Sequence, residues 1–384
     1  MPEVMLSALP GTGLQIRSTV GEDETLVIEL ADVTIARPDD DQAVVRIEAA
    51  PINPADLIPL LAGADPASAQ FEGTPERPRV IAQLSPEAVK AFAGRVGRSL
   101  AVGLEGAGCV VAVGKNAQAL LGQRVAVLSL SAGLFGQYCT VPAAECMPLP
   151  EGVTARNGAG LFCNPLTALA IVETLRQTGQ KALVHTAATS NLGQMLVRIC
   201  KEDAIPLVNI VRRQEQVDLL RSMGAEHVCN SSAPSFREDL LSALRSTGAM
   251  VAFDAIGGGI MACDLLSAME AAATKRSAEY SPYGSSEPKR VYIYGRLDPS
   301  PTLVPKRNYG MVWGIDGWAM PPILERAGPA RAKDLTQRIV DNLTTTFAGH
   351  YGHEISLAQA LQRDVMLGYC RQATGQKYLI NPLL

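Results

Sequence analysis

At 384 residues and 40.7 kDa the chain is long enough for two or three domains at roughly 150 residues each. With 47% hydrophobic and 19% charged residues it falls outside the disordered class. A net charge of −4, from 34 Lys+Arg against 38 Asp+Glu, excludes a global basic field for nucleic acid or anionic lipid. The eight cysteines are scattered and never form C-x-x-C, and the four histidines give one close pair, His350 and His353, in a polar turn. That pattern predicts neither a disulfide framework nor a metal site. No uninterrupted apolar run approaches the ~18 residues of a membrane span, and the first residues lack a basic stretch followed by an apolar one. No membrane association and a cytoplasmic location are expected.

Taken in chain order, the first 150 residues read as strands and turns. TLVIELADV (25–33) and AVVRIEAA (43–50) alternate β-branched with polar residues. GCVVAVG (108–114), QRVAVLSL (123–130) and QYCTVPAAECMPLP (137–150) follow, bounded by glycine or proline. This predicts an antiparallel, barrel-like β region. Residues 64–101 break the rhythm and contain SPEAVKAFAGRVGRSL (85–100), a helix with Ser85 as N-cap and Pro86 at its first position.

From about residue 155 the pattern becomes β-α-β. Strands are expected at 181–187, 206–212, 226–230, 249–259, 290–295 and 310–315. Helices are expected at 191–203, 214–225, 235–248 and 260–273. Strands alternating with helices of this length predict a doubly wound parallel sheet. TKRSAEYSPYGSSEPKR (274–290) reads as a polar surface loop. The tail, LAQALQRDVMLGYC and KYLINPLL, reads as a helix and a last strand returning to the first domain.

The most informative segment is LVHTAATSNLGQMLVRI (183–199), a strand, a turn of small residues and a helix opening at a glycine. Such a turn lets backbone N–H groups approach a pyrophosphate at a helix N-terminus. Only Gly193 of a G-x-G-x-x-G pattern is glycine. Ala187 and Ala188 are small enough for close approach, and Asn191 is the best non-glycine candidate for a positive φ. An ordinary tight turn is the competing reading. The next strand ends NIVRRQ, with Arg212 and Arg213 and no acid. An acid there would bond the ribose of NAD, whereas guanidiniums pair with the 2′-phosphate of NADP. A solvated basic pair is the alternative; with the preceding turn, NADP(H) is the expected cofactor.

INPADL (52–57), GLEGAGCVVAVG (103–114), NPLTAL (164–169), FDAIGG (253–258) and TGQKYLI (374–380) resemble, in order and spacing, the zinc-independent branch of the medium-chain dehydrogenases/reductases. AATSNLGQ (187–194), NIVRRQ (209–214), SMGAEHV (222–228) and VWGIDGW (312–318) are similar to 2-enoyl thioester reductases, with quinone oxidoreductases as close neighbours. The resemblance implies a β-rich GroES-like catalytic domain, discontinuous over 1–155 and 318–384, and a Rossmann-type nucleotide-binding domain over 156–317. It implies hydride transfer from NADPH to an activated C=C bond or a quinone in the cleft between them. It also implies a homodimer formed through the last strands of the parallel sheet.

The same resemblance assigns a site. Asn164 and Thr167 are implied beside the cofactor. Thr189, Ser190, Asn191, Leu192 and Gly193 are implied at the pyrophosphate, and Arg212, Arg213 and Gln214 at the 2′-phosphate. Tyr294, Gly295, Arg296, Leu297, Trp313, Gly314 and Ile315 are implied as walls of the nicotinamide half. Lys377 stands at a cofactor-proximal lysine position. The zinc-binding cysteine and histidine are absent, the places reading INPAD and Gly103-Leu104-Glu105, so no metal is expected. One departure stands out. Enoyl thioester reductases carry a proton-donating tyrosine shortly after INPxD, where this chain reads Gly63-Ala64-Asp65. Asp65 is a candidate replacement if burial raises its pKa, with solvent the other source of the proton. Asp56 is expected to tie down the INPAD turn. A non-catalytic NADP(H)-binding relative is the alternative reading.

Overall fold

A computed structural model describes residues 9–276 and 280–384. The chain divides into two units: unit 1, Met1–Cys163 with Ala348–Leu384, and unit 2, Asn164–Phe347.

Unit 1 opens with β1 (Thr12–Val20), β2 (Thr25–Thr34) and β3 (Gln42–Pro51), then α1 (Pro54–Leu61). A hairpin follows, β4 (Gln70–Thr74) and β5 (Arg77–Gln83), then α2 (Pro86–Ala91) and β6 (Ser99–Ala101). β7 (Glu105–Val113), β8 (Arg124–Leu128), β9 (Tyr138–Pro142), β10 (Cys146–Pro148) and α3 (Ala155–Gly158) complete its first part. Unit 2 comprises α4 (Cys163–Gln177, starting at the boundary), β11 (Leu183–His185), α5 (Asn191–Glu202), β12 (Leu207–Val211), α6 (Gln214–Ser222) and β13 (His227–Asn230). It continues with α7 (Phe236–Thr247), β14 (Val251–Asp254), α8 (Met261–Arg276), β15 (Lys289–Ile293), β16 (Trp313–Gly317), α9 (Met320–Ala327) and α10 (Pro329–Asp341). The chain then re-enters unit 1 with β17 (His353–Ile355), α11 (Arg363–Cys370) and β18 (Tyr378–Ile380).

Two sheets build unit 1. One has the order β4-β5-β2-β1-β6; the other runs β10-β8-β7-β3-β18-β17, with β9 also on β3. Alternation puts Ile16, Leu26, Ile28, Val45, Ile47, Val125 and Val127 into one core. β18 lies antiparallel to β3, Leu379 opposite Pro51, so the end of the chain is stitched into its beginning. The 64–101 segment corrects the sequence reading. It holds a β4–β5 hairpin that extends the first sheet through β2, and its helix is short. Ser85 does cap that helix, its Oγ accepting the Ala88 N–H at 3.2 Å. β1 also went unread in the sequence.

Unit 2 is a parallel sheet in the order β13-β12-β11-β14-β15-β16. Val184, Val208, Ile210, Leu240, Leu244, Leu265 and Leu266 fill one side of it. The expected boundaries at 155/156 and 317/318 move to 163/164 and 347/348. α3 stays in unit 1 because Ala155 and Ala159 pack on Ala49 and Ala107. α9 and α10 join unit 2 because Ile323, Leu335 and Ile339 are buried and Arg331 and Arg338 bond Glu173 and Asp203. The 274–290 loop is tied down by Glu270, which takes Ser285 and the buried Lys289 ammonium at 2.8 Å; residues 277–279 lie outside the described residues. Residues 155–177 are apolar enough to cross a membrane, with a mean hydropathy of 1.3, but 78% of that window is buried inside the protein.

Candidate functional site

In unit 2 the turn from β11 into α5 is built by three residues. Ser190 caps the helix, its Oγ accepting the Gly193 N–H at 3.1 Å. Gly193 is required by space: a Cβ there would collide with the Ala188 carbonyl. The strained turn residue is Ala187, with φ +50°, whereas Asn191 is already the first residue of the helix, which corrects its expected role. Thr189 and Leu192 are buried beneath the turn. The geometry leaves the first turn of a 12-residue helix, with its positive dipole end, beside a backbone that approaches closely.

β12 delivers Arg212 and Arg213 at its carboxyl end, both exposed. Their backbone N–H groups are held by Gln216 Oε1 at 3.0 and 3.2 Å, so the turn is fixed while the guanidiniums reach outward. Arg213 Nε pairs with Glu215 at 3.1 Å. Gln214 bonds Asp218 at 3.0 Å. Asn164 and Thr167 sit in the first turns of α4, the Thr167 hydroxyl 3.9 Å from the Met320 sulfur.

At the carboxyl ends of β11, β14 and β15 the structure assembles a cluster of which the sequence had marked only Tyr294. Asp254 ends β14 fully buried and accepts the Thr186 hydroxyl at 2.7 Å and the N–H groups of Ile256 and Gly257 at 2.9 and 3.1 Å. The aspartate of FDAIGG, at a strand end before glycines, was its signal. Tyr294 follows β15, its hydroxyl 2.7 Å from His185 Nε2. Trp318 stands edge-on to Tyr294 and Phe253 at 6.1 and 5.6 Å, and its indole N–H donates to Thr174 at 3.0 Å. Burial lowers the His185 pKa to about 3 and raises that of the Tyr294 phenol. Gly295 lies so close to Ala255 that a Cβ would strike its carbonyl. Arg296 and Leu297 are exposed.

Trp313, Gly314 and Ile315 are not brought to that cluster. β16 begins at Trp313, in register with Lys289 at the amino end of β15, whereas Tyr294 lies past the carboxyl end. Trp313 is 41% exposed and rests on Tyr309, and Ile315 packs on the core. Of the two tryptophans in VWGIDGW, Trp318, one residue past the carboxyl end of β16, is the one beside Tyr294.

In unit 1, Asn53 joins three groups. Its side-chain amide donates to Glu105 at 2.8 Å, its Oδ1 accepts from Lys377 Nζ at 2.8 Å, and its N–H goes to Asp56 at 2.7 Å. Glu105 also takes the N–H groups of Phe162 and Cys163 at 3.0 and 2.8 Å. Asp56 is fully buried and holds the Leu104 N–H at 2.8 Å; burial raises its pKa to about 7. It ties the INPAD turn as the sequence implies. Burial lowers the pKa of Lys377, with Glu105 acting in the opposite direction. Asp65 is exposed and closes its own turn through the Ala67 N–H at 2.9 Å, so the burial its candidate role required is missing. His353 stacks on Tyr378 at 4.5 Å rather than lying free in a solvated turn. Among the described residues no group of three or more His, Cys, Asp or Glu is placed to hold a metal.

The alcohol dehydrogenase GroES-like domain matches residues 39–151. The chain is 27% identical over 232 residues to the mitochondrial enoyl-[acyl-carrier-protein] reductase of Xenopus tropicalis, covering 57% of each. It is 30% identical over 167 residues to the squalestatin hexaketide synthase of a Phoma species, covering 42% of this chain and 6% of the synthase. A provisionally assigned NADPH:quinone reductase of Mesorhizobium loti superposes with a TM-score of 0.72 at 23% identity, over 98% of this chain and all of that one. The chain thus spans only part of the curated relatives it matches. Its fold is that of the medium-chain dehydrogenases/reductases, a GroES-like unit with a Rossmann-type one.

Proposed function

We propose that this chain, with its GroES-like domain and Rossmann-type unit, is an NADP(H)-dependent oxidoreductase that delivers hydride to an activated C=C bond, as in a 2-enoyl thioester or enone, or to a quinone. The observation that carries the reading is the pair of exposed guanidiniums at the end of β12, Arg213 paired with Glu215 of the following helix, one strand from the capped, glycine-opened N-terminus of α5. Thr189 to Gly193 would hold the pyrophosphate, and Arg212 and Arg213 the 2′-phosphate. The bound dinucleotide would supply the hydride. The matched enoyl reductase and quinone reductase support this chemistry.

The exposure of Asp65 favours solvent as the source of the proton that completes C=C reduction. It also keeps a second reading in play, a dinucleotide-binding relative without turnover. Fluorescence titration of NADPH and NADH at two salt concentrations, followed by NADPH oxidation with enones, quinones and crotonyl thioesters, tests both. Charge-assisted phosphate contacts of roughly 1.5–3 kcal/mol each predict a preference for NADPH on the order of a hundredfold, reduced by salt. Arg212→Ala/Arg213→Ala should remove that preference and leave NADH nearly unchanged. Equal affinity of the wild type for both dinucleotides overturns the reading. Tight NADPH binding without turnover on any acceptor selects the second one.

A further inference from the structure

Among the described residues, only one nitrogen of the fully buried His185 ring has a partner. Nε2 meets the Tyr294 hydroxyl at 2.7 Å, while Nδ1 is enclosed with nothing to bond among the described residues. Burial keeps the ring neutral, so it carries a single N–H. On Nδ1 that hydrogen would be a buried donor without an acceptor, the rarer and costlier defect. On Nε2 it leaves only a bare lone pair. The tautomer assigned on this ground donates from Nε2 to the tyrosine oxygen. The tyrosine's own hydrogen is then uncommitted, since its hydroxyl has no second contact among the described residues.

The pair also has a definite place. His185 ends β11, Tyr294 follows β15, and β14 lies between these strands. Doubly wound sheets bind ligands outside the carboxyl ends of their strands. The imidazole and phenol rings lie 5.9 Å apart and 17° from parallel, joined through the hydroxyl, with the Trp318 and phenol rings nearly perpendicular at 6.1 Å. The hydroxyl is therefore held in position before any ligand arrives.

We propose that Tyr294, backed by His185, is a preset hydrogen-bond donor for a carbonyl oxygen of the bound ligand. This rests on the functional reading above. Two carbonyls share the required chemistry: the carboxamide of the nicotinamide ring and the carbonyl conjugated to the reducible C=C bond. In the first case Tyr294 is a positioning residue for the hydride donor. In the second it polarises the acceptor: hydride adds at the carbon β to the carbonyl, the π electron pair moves onto the oxygen facing Tyr294, and a solvent proton arrives at the α carbon as NADPH becomes NADP⁺.

The test uses Tyr294→Phe, which keeps the ring against Trp318 and removes only the hydroxyl. The readouts are the affinity for NADPH, the affinity for adenosine 2′,5′-bisphosphate, which has no nicotinamide, kcat/KM for an enone, and the His185 tautomer from ¹⁵N NMR of the wild type. The expected tautomer is Nε2–H. A carboxamide contact predicts about a tenfold or greater loss of NADPH affinity with bisphosphate binding unchanged. A substrate contact predicts a similar loss in kcat/KM with NADPH affinity unchanged. An Nδ1–H tautomer overturns the proposal, as does a variant that keeps both quantities within about twofold or loses bisphosphate and NADPH alike. A wild type that binds neither nucleotide overturns the functional reading instead, and the tautomer alone then decides whether the donor is free.

Discussion

Gly193 shows how a single residue sets the β11–α5 turn. Its missing side chain lets the helix start against the Ala188 carbonyl, and Ala187 supplies the left-handed backbone that a longer glycine motif would otherwise provide. The turn is thus a Rossmann turn with its strain moved onto an alanine, which fits a sequence that keeps only one of the three glycines. Replacing Gly193 by Ala forces the helix start away from the strand. Overpacking of this kind costs roughly 1–3 kcal/mol, so the variant should unfold several degrees lower, at about 2–4 °C per kcal/mol, and bind NADPH at least about tenfold more weakly. Gly317→Ala is the control, because a Cβ there meets nothing within 4 Å and the backbone is not left-handed. Thermal unfolding and NADPH titration of both variants check this. A Gly193→Ala protein indistinguishable from Gly317→Ala would show that the close approach does not matter.

At the scale of elements, β16 is the edge of the parallel sheet, and Met311, Val312 and Trp313 at its start are 51%, 42% and 41% exposed. An apolar, unpaired edge invites pairing with another chain, and a two-fold pairing closes it. The expected outcome is a dimer in sedimentation at micromolar concentration, shifted to monomer by Val312→Lys with an unchanged unfolding temperature. A wild-type monomer would refute the pairing. The β-α-β half was readable in the sequence because its helices are amphipathic and end at residues such as Gly248, which adopts the left-handed conformation that only glycine reaches cheaply. The β4–β5 hairpin was not, because QFEGTPERPRV is polar on its exposed side and carries Pro78 inside a strand. β16 was misplaced by three residues at its start, and Trp313, taken from the resemblance, lies at the other end of that strand from Tyr294. The candidate site was legible where one local segment makes it, at Ser190, Gly193, Arg212 and Arg213. The His185–Tyr294 contact joins residues 109 apart, and no periodicity in either segment announces it.

Across the whole molecule the two units carry opposite titrations. In unit 1 the Asp56 carboxyl is raised from 3.8 to about 7 by burial. The folded state holds its proton more tightly than the unfolded chain does, so this contribution to stability is complete below about pH 4 and is lost as pH rises through 7. In unit 2 the His185 imidazole is lowered from 6.5 to about 3 by burial. Here the unfolded chain binds the proton more tightly, so stability is complete above about pH 6.5 and is lost as pH falls toward 3. Glu270, held below its ordinary value by Lys289 and Ser285, adds to the acid-side loss in unit 2. Between about pH 4 and 6.5 the Asp56 and His185 slopes have opposite sign and a common upper limit of about 1.4 kcal/mol per pH unit. If the units melt separately, scanning calorimetry should show the two transitions moving in opposite directions across this window. Asp56→Asn should flatten one and His185→Gln the other. If the units melt together, the wild type should be nearly flat, Asp56→Asn should lose stability toward acid, and His185→Gln should lose it toward neutral pH. Parallel pH dependence of both variants would show that these two buried groups do not titrate as their surroundings dictate.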